Sequence, residues 1–278
     1  MVAHWWRAAA IAVALLVAGS APRTARAQLR PLEQADWRLI GGEGRVAGSV
    51  GAARLFDQRA SLAGTTGDLW EAGNFSLAWR TGRVVLEAAG TGQRLFSENS
   101  RFTEAHPEVD PDADGNRHDS GDYRISTSVR LTPDAWPLVG AVRFGTRLPT
   151  TDNETGLDRD AVDFFATLGA AGSLRSLFVA AEAGLGIHST REVRFEQEDV
   201  LLYSLRAELR GFRVVPSVGV LGQMHGTTHS AIRGVEDLGE VRAGLQAGTR
   251  YWLRLEAVKG YETFSPEAGV IVSIGSRF

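Results

Sequence analysis

The sequence predicts an all-β protein: a single transmembrane, antiparallel, up-and-down β-barrel of about 12 strands. Three observations predict this fold class. Apolar and polar residues alternate along nearly every segment after residue 43, the connections between segments alternate between short and long, and the chain ends on an apolar strand that finishes in phenylalanine. Because side chains two residues apart lie on the same side of a strand, the alternation gives each strand one apolar and one polar face.

The first residues, MVAHWWRAAAIAVALLVAGSAPRTARAQ, have the features of a secretory signal peptide. Arg7 precedes an uncharged apolar run of twelve residues, Ala8 to Gly19, and Ala25-Arg26-Ala27 offers the small residues of a cleavage site. That run is too short to cross a bilayer, which needs about 20 residues. We therefore expect residues 1–27 to be removed. Residues 28–43 then form either a periplasmic segment or a plug in the barrel, and residues 44–278 form the barrel itself.

The composition disfavours some classes of partner. The chain has 30 Lys and Arg, 33 Asp and Glu, and no cysteine. Removing residues 1–27 takes away three arginines and no acid, so the mature chain has 27 basic and 33 acidic residues, a net charge of −6. This balance disfavours nucleic acid as a partner, and without cysteine the fold has no disulfides. No stretch after the signal approaches the about 18 uncharged apolar residues of a transmembrane helix.

Twelve segments carry the alternating pattern. They cover residues 44–57, 68–80, 84–96, 122–131, 138–148, 161–170, 177–188, 200–210, 213–224, 238–247, 251–259 and 267–278. Short connections between them alternate with long ones, which run over residues 58–67, 97–121, 149–160, 189–199, 225–237 and 260–266. A soluble β-sandwich also alternates along its strands but does not require this order of loop lengths. Tight turns on one rim and longer loops on the other are typical of outer-membrane barrels.

The membrane explains why the polar faces turn inward. Hydrocarbon offers no partner for backbone N–H and C=O groups, so a sheet crosses only if it closes, and lipid then takes its apolar face. Parity, meaning the alternate positions on the polar face of each strand, predicts which charged residues line the lumen. They are Glu87, Arg124, Arg130, Arg143, Arg147, Asp163, Glu182, Arg206, Glu208, Glu240, Arg242, Arg254 and Glu256. Their charges nearly cancel. They form either the lining of a selective channel or an ion-pair network that packs a small barrel nearly shut.

The chain ends GVIVSIGSRF, with Val272, Ile274 and Phe278 at alternate places. This ending resembles the C-terminal strand of Gram-negative outer-membrane proteins. In that class, a final aromatic residue with alternating apolar residues upstream is the feature that the barrel-assembly machinery recognises. The resemblance implies that Val272, Ile274 and Phe278 form an assembly signal. It also implies a location in the cell outer membrane, with the assembly machinery, outer-membrane lipid and lipopolysaccharide as partners.

A second resemblance lies in the stretch VGAVRFGTRLPTTDNETGLDRDAVDFFATLGA, about a tenth of the chain. Its Leu148-Pro149-Thr150, polar loop and Asp163-Phe164 resemble the outer-membrane family described as channels of meta-pathway phenol degradation. The resemblance implies passage of hydrophobic small molecules and carries no catalytic residues. We therefore expect a channel for passive passage of small, hydrophobic or aromatic solutes, without a cofactor. The alternatives are a non-transporting barrel that binds surface partners and, third, a lipid hydrolase.

The long connection over residues 97–121 contains a motif with metal-ligand spacing. DPDADGNRHDSGD places Asp110, Asp112, Asp114 and Asn116 as in a calcium loop, with Gly115 at the sharp turn. The twelfth position is Gly121 rather than glutamate, so a solvated acidic loop is the alternative interpretation. Its charge density predicts a mobile external loop.

The hydrolase alternative depends on two histidine–serine pairs. These are His188-Ser189, followed by Thr190, and His229-Ser230. A hydrolase needs its serine and histidine on the lipid face with an orienting acid or amide, but His188 has inward parity and both pairs lie at or within loops. The sequence therefore predicts no enzyme.

We expect deletion of Phe278 to impair assembly. The amount of barrel in the outer membrane should fall, and precursor should remain in the periplasm, as measured by membrane fractionation and heat-modifiable migration. Normal levels of heat-modifiable barrel after the deletion would contradict this role.

Overall fold

The computed structural model describes residues 29–278 apart from 108, 110–114, 149, 151–152, 159–160, 193–194 and 226–232, and it describes residues 191, 192, 195 and 196 by their backbone alone. This part of the chain is almost entirely β-structure. Its helical elements are one short helix, α1 (Trp37–Ile40), and one 3-10 turn (Asn153–Thr155). Among the described residues, no helix is long and apolar enough to cross a bilayer.

Thirteen strands follow α1 in the described residues. They are β1 (Val46–Ala60), β2 (Thr65–Thr81), β3 (Val84–Arg101), β4 (Asn116–Asp119), β5 (Tyr123–Arg130), β6 (Leu138–Leu148), β7 (Asp163–Leu174), β8 (Leu177–Glu192), β9 (Phe195–Leu209), β10 (Val214–His225), β11 (Leu238–Ala247), β12 (Tyr251–Gly260) and β13 (Ala268–Arg277). Each pairs antiparallel with its neighbour, β3 pairs with β5, and β13 pairs with β1. The sheet therefore closes as a 12-stranded barrel, with β4 as an extra strand on β3. The predicted fold class is confirmed.

The two rims of the barrel differ. The lower rim holds both ends of the barrel, where Val46 N donates to Phe278 O at 2.9 Å and Phe278 N donates to Val46 O at 2.8 Å. It also carries the connections 82–83, 131–137, 175–176, 210–213 and 248–250. The upper rim carries the connections that include the longest loops, among them 149–162 and 226–237.

Two connections predicted to be long loops are instead mostly strand. β1 and β2 pair as far as Ala60 and Thr65, and β8 and β9 pair as far as Glu192 and Phe195. Pairing continues above the predicted ends because it satisfies backbone N–H and C=O groups that would otherwise need other partners. The predicted alternation of loop lengths is therefore wrong at residues 58–67 and 189–199.

In the described part of the segment 97–121, some residues form strand where the sequence predicted a loop. Its first residues extend β3 to Arg101, and β4 pairs with β3 from Arg94 to Ser97. The charges there have partners: Arg117 Nη1 donates to Thr155 O at 3.1 Å, and Thr155 Oγ1 donates to Asp119 Oδ2 at 2.7 Å. Pairing of its polar groups and burial of Val109 both hold the described part of this connection.

The outer surface between the rims is apolar. Its exposed side chains include Val50, Leu77, Leu86, Ile125, Phe144, Leu168, Leu185, Leu201, Val218, Leu245, Leu253, Leu255 and Val270. Val272, Ile274 and Phe278 are exposed on the same surface, and the Phe278 ring meets Tyr251 edge-on at 5.7 Å between centroids. Such a band is what a lipid-facing barrel surface requires.

Residues 29–43, called the N-terminal segment, cross the interior from the upper to the lower rim. Near the upper rim, Leu29 is fully buried in a cluster that contains Leu55, Phe96 and Leu157. Near the lower rim, Trp37, Leu39 and Ile40 of α1 pack against the wall residues Ala47, Ala78, Val85, Ala141, Ala171, Phe178 and Ala180. The alanines at these positions leave room for the helix.

A glycine on the wall makes room for the Trp37 ring. A Cβ on Gly169 would overlap Trp37 and the carbonyl oxygen of Ala181. We expect Gly169→Ala to displace Trp37 and to lower the free energy of unfolding by about 1–3 kcal/mol, measured by denaturant unfolding in detergent micelles.

Gly172→Ala on the same strand is the control for this substitution. The nearest atom to its added methyl is Leu138 Cδ1 at 3.4 Å, an ordinary contact. Equal stability of the two variants would show that the close approach at Gly169 does not matter.

Candidate functional site

The interior of the barrel is the candidate functional site. The structure places all of the charged residues that parity assigned to the lumen on the inner surface: Glu87, Arg124, Arg130, Arg143, Arg147, Asp163, Glu182, Arg206, Glu208, Glu240, Arg242, Arg254 and Glu256. All of them except Arg254 contact the N-terminal segment or one another. Their contacts divide into an upper, a middle and a lower group.

The upper group is a continuous series of ion pairs, called the charge chain. Its members, in order of contact, are Asp163, Arg147, Asp158, Arg94, Glu71, Arg30, Glu240, Arg242 and Glu33. Successive partners are 2.6 to 3.2 Å apart. The charge chain joins loop 149–162 and strands β7, β6, β3, β2 and β11 to the N-terminal segment.

Arg30 is the link between two separate parts of the wall. Its Nη1 lies 3.2 Å from Glu71 of β2, and its Nη2 lies 3.1 Å from Glu240 of β11. Both carboxylates are buried, and a buried charge without a partner is costly. The N-terminal segment therefore supplies counter-charges that the wall needs.

The middle group fixes the segment through Glu182. Its Oε1 accepts hydrogen bonds from Ala35 N and Trp37 Nε1, both at 2.8 Å. Arg143 lies between Glu87 and Glu182, 3.6 Å from each, and its Nη1 donates to Glu33 O at 2.9 Å. A backbone amide and a backbone carbonyl of the segment, together with the indole N–H of Trp37, thus find buried partners on the wall.

The lower group surrounds α1. Glu208 pairs with Arg38 of α1, with Arg206 at 3.1 Å and with Arg210 at 3.2 Å, while Glu256 pairs with Arg206 at 3.1 Å. Asp36 caps α1 by accepting from Leu39 N at 3.0 Å and also pairs with Arg277 at 2.9 Å.

Arg254 differs from the other charged lumen residues. Its Nη2 donates to the neutral Gln246 Oε1 at 2.6 Å, and its Cζ lies 5.1 Å from the centroid of the Trp252 ring. Among the described residues it alone of the predicted lumen charges forms no ion pair. Arg254 lines a cavity of about 370 Å³ that remains between the N-terminal segment and the wall.

Sequence parity missed two members of the charge chain on the wall, Glu71 and Arg94. The inward phase of β2 and β3 changes near Gly73 and Gly92, which lie close to each other on these strands. Gly73 has a φ of 68°, a conformation that glycine adopts without strain. The two glycines were the available signal, because a glycine inside a strand often marks a bulge.

Asp122 lies at the upper rim beside the charge chain, 3.3 Å from Arg147. Burial raises the pKa of its carboxyl; Arg147 opposes this effect, and the nearby Asp158 adds to it. The pKa of Asp122 is raised overall, so the folded protein favours its protonated form more than water does.

The calcium and hydrolase motifs fall partly outside the described residues. Asp110, Asp112 and Asp114 lie there, while Asn116 begins β4 and its side chain accepts from Ser97 Oγ at 3.0 Å. In the part of the chain that the structure describes, no three metal-binding side chains of the His, Cys, Asp or Glu type converge.

The hydrolase motif has one pair within the described residues. His188 is buried on the lumen side, and Ser189 Oγ donates to Val162 O at 2.8 Å. His229 and Ser230 lie outside the described residues.

The closed sheet, apolar exterior and charged interior define a transmembrane β-barrel whose lumen is occupied by its own N-terminal segment. The sequence matches no protein-family profile and no curated protein.

The barrel is similar to several solved structures. The translocator domain of the autotransporter NalP from Neisseria meningitidis is 15% identical, with a TM-score of 0.43 over 84% of this chain and 88% of that one. LpxR from Salmonella typhimurium is 11% identical, with a TM-score of 0.43 over 84% of this chain and 100% of that one. The CymD monoaromatic hydrocarbon channel is 12% identical, with a TM-score of 0.41 over 86% of this chain and 90% of that one. At these values no argument about function rests on the similarity.

We expect Arg147→Gln to destabilise the barrel. The change removes the shared partner of Asp122, Asp158 and Asp163, so the free energy of unfolding at neutral pH should fall by about 3–5 kcal/mol.

Arg54→Gln is the matched control for this measurement. It removes an exposed pair with Asp68, 3.2 Å apart, which contributes less than about 1 kcal/mol. Denaturant unfolding of both variants at neutral pH makes the comparison. A loss at Arg147 no greater than that at Arg54 would contradict the importance of the charge chain.

Proposed function

We propose that this protein is an outer-membrane channel for passive passage of small solutes, held closed by the N-terminal segment and opened when that segment leaves the lumen. One observation carries the proposal. A separate stretch of chain, rather than the side chains of the wall alone, fills the centre of the barrel. A bore that accommodates a peptide chain also accommodates a solute of similar width once the chain has left.

The composition of the wall supports an open state. Its inner surface carries Arg, Glu, Ser and Gly residues in contact with the segment or the cavity. Water can solvate such polar groups when the segment leaves. The contacts of an apolar wall with the segment would instead be lost, because water does not replace them. A barrel of twelve strands is also intermediate in diameter between packed eight-stranded barrels and open sixteen-stranded porins.

The proposed location and solute class have separate support. The terminal strand with Val272, Ile274 and Phe278, and the signal peptide predicted over residues 1–27, support insertion into the outer membrane by the barrel-assembly machinery. Phe165, Phe178 and Trp252 line the cavity and support a solute with an aromatic or other apolar part.

A non-transporting barrel is the second candidate, and the density of ion pairs favours it. The charge chain ties the N-terminal segment to five strands, as a permanent part of the core would be tied. In that case the segment stabilises the barrel and never leaves.

Deletion of residues 29–40 tests the proposal. The wild type should show little current in planar bilayers, and the deletion variant should conduct steadily because its lumen is empty. Heat-modifiable migration would confirm that the variant remains folded. A folded variant that conducts no better than the wild type would favour the non-transporting barrel.

A substitution variant keeps the test informative if the deletion variant does not fold. Arg30→Ala with Glu33→Ala removes two links of the charge chain that lie on the segment, so the segment should leave intermittently and give transient openings. Lys259→Ala with Glu267→Ala removes one base and one acid of an exposed pair outside the segment and is the control. Equal currents from the two double variants would contradict gating by the segment.

A further inference from the structure

We infer that the cavity of the lumen contains a subsite for a small organic carboxylate with an aromatic or similar apolar body, and that Arg254 binds the carboxylate. This inference rests on the proposed function and names the class of solute that such a channel would take.

The local balance of charge leaves Arg254 without an ion pair. Every acid of the lower group pairs with another arginine; the pairs are Glu208 with Arg38, Arg206 and Arg210, Glu256 with Arg206, Glu43 with Arg210, and Asp36 with Arg277. Among the described residues no acid lies within ion-pair distance of Arg254. Its positive charge is therefore only partly compensated, because the nearby Glu256 is shared with Arg206.

Arg254 has hydrogen-bond donors that the described chain does not use. A guanidinium has five N–H donors in a planar fork that matches the two oxygens of a carboxylate. Nη2 has its partner in Gln246, whereas Nε is buried without a hydrogen-bond partner. Such a group binds an anion strongly, since charge-assisted bidentate pairs are about twice as strong as neutral hydrogen bonds.

The wall beside Arg254 consists of small residues. Arg254 pairs directly with Ser273 in the sheet, and Ser273 pairs with Gly51 on its other side. Ser49, two residues from Gly51 on β1, lines the same cavity. These small residues leave room for a ligand next to the guanidinium.

Apolar surface lies beside the same guanidinium. Trp252 and Ile271 line the cavity on the two strands that meet at Arg254. Gly275 has no side chain where the Trp252 ring lies, and a Cβ there would overlap that ring, so the indole fits closely against the wall. An inorganic anion would leave this apolar surface unused, and a neutral aromatic molecule would leave the guanidinium unpaired.

Titration calorimetry of the purified full-length mature barrel in detergent tests the subsite, with benzoate as the probe and benzyl alcohol as its neutral counterpart. Benzoate should bind at least about tenfold more tightly than benzyl alcohol, the ratio expected for a charge-assisted hydrogen bond. Arg254→Gln should weaken benzoate binding by about tenfold and leave benzyl alcohol unchanged. Arg254→Lys, which keeps the charge, should restore part of the affinity for benzoate.

Arg213→Gln removes an exposed guanidinium from a turn of the lower rim and is the control. It should bind benzoate as the wild type does. Four outcomes would overturn the inference: no benzoate binding by the wild type, equal binding of benzoate and benzyl alcohol, unchanged benzoate affinity in a folded Arg254→Gln variant, or displacement of benzoate by sulfate at equal concentration.

Flux measurements in proteoliposomes separate this inference from the proposed function. Benzoate binding that depends on Arg254, together with no benzoate flux through the folded variant lacking residues 29–40, would support the subsite and contradict the channel. Flux of benzoate that is the same with and without Arg254→Gln would support the channel and contradict the subsite.

Discussion

A charge inside a narrow, closed barrel needs a counter-charge or water, and the rest of the interior depends on this constraint. The sheet places its polar face inward because lipid requires the apolar face outside. Arginines and carboxylates therefore meet within the lumen, where an unpaired charge is costly. The charge chain meets this requirement only by including Arg30 and Glu33, which belong to the N-terminal segment and not to the wall.

The same contacts connect stability with opening. A segment held by ion pairs leaves behind groups that water can solvate, so its departure exchanges one set of polar partners for another. The apolar contacts at the two ends, around Leu29 and Trp37, oppose its departure more directly because water cannot replace them. The lumen thus combines a replaceable polar middle with apolar closures near each rim. Arg254 lies outside this scheme, as a charge whose partner the described chain does not supply.

Much of the barrel could be predicted from the sequence because the period of a strand is local. Alternation from residue to residue determined which side chains face lipid and which face the lumen, and the charged residues that parity selected do lie on the inner surface. The need to close a membrane sheet then determined the architecture. The alternation changes phase near Gly73 and Gly92, so the inward positions of Glu71 and Arg94 were not predicted. Some strands were also predicted to end too early, because strand pairing above the membrane does not require apolar residues at alternate positions.

The sequence by itself determined the closed barrel, its apolar exterior and its charged interior, since each follows from the order of residues along single strands. Only the tertiary structure decided which charges meet. Arg94 of β3 contacts Asp158 of an upper loop, and Arg30 contacts Glu240, which lies 210 residues away in the chain. These contacts depend on strand register and on the path of the N-terminal segment through the lumen. No local pattern encodes either of them, because both arise from the balance of charge over the whole enclosed surface.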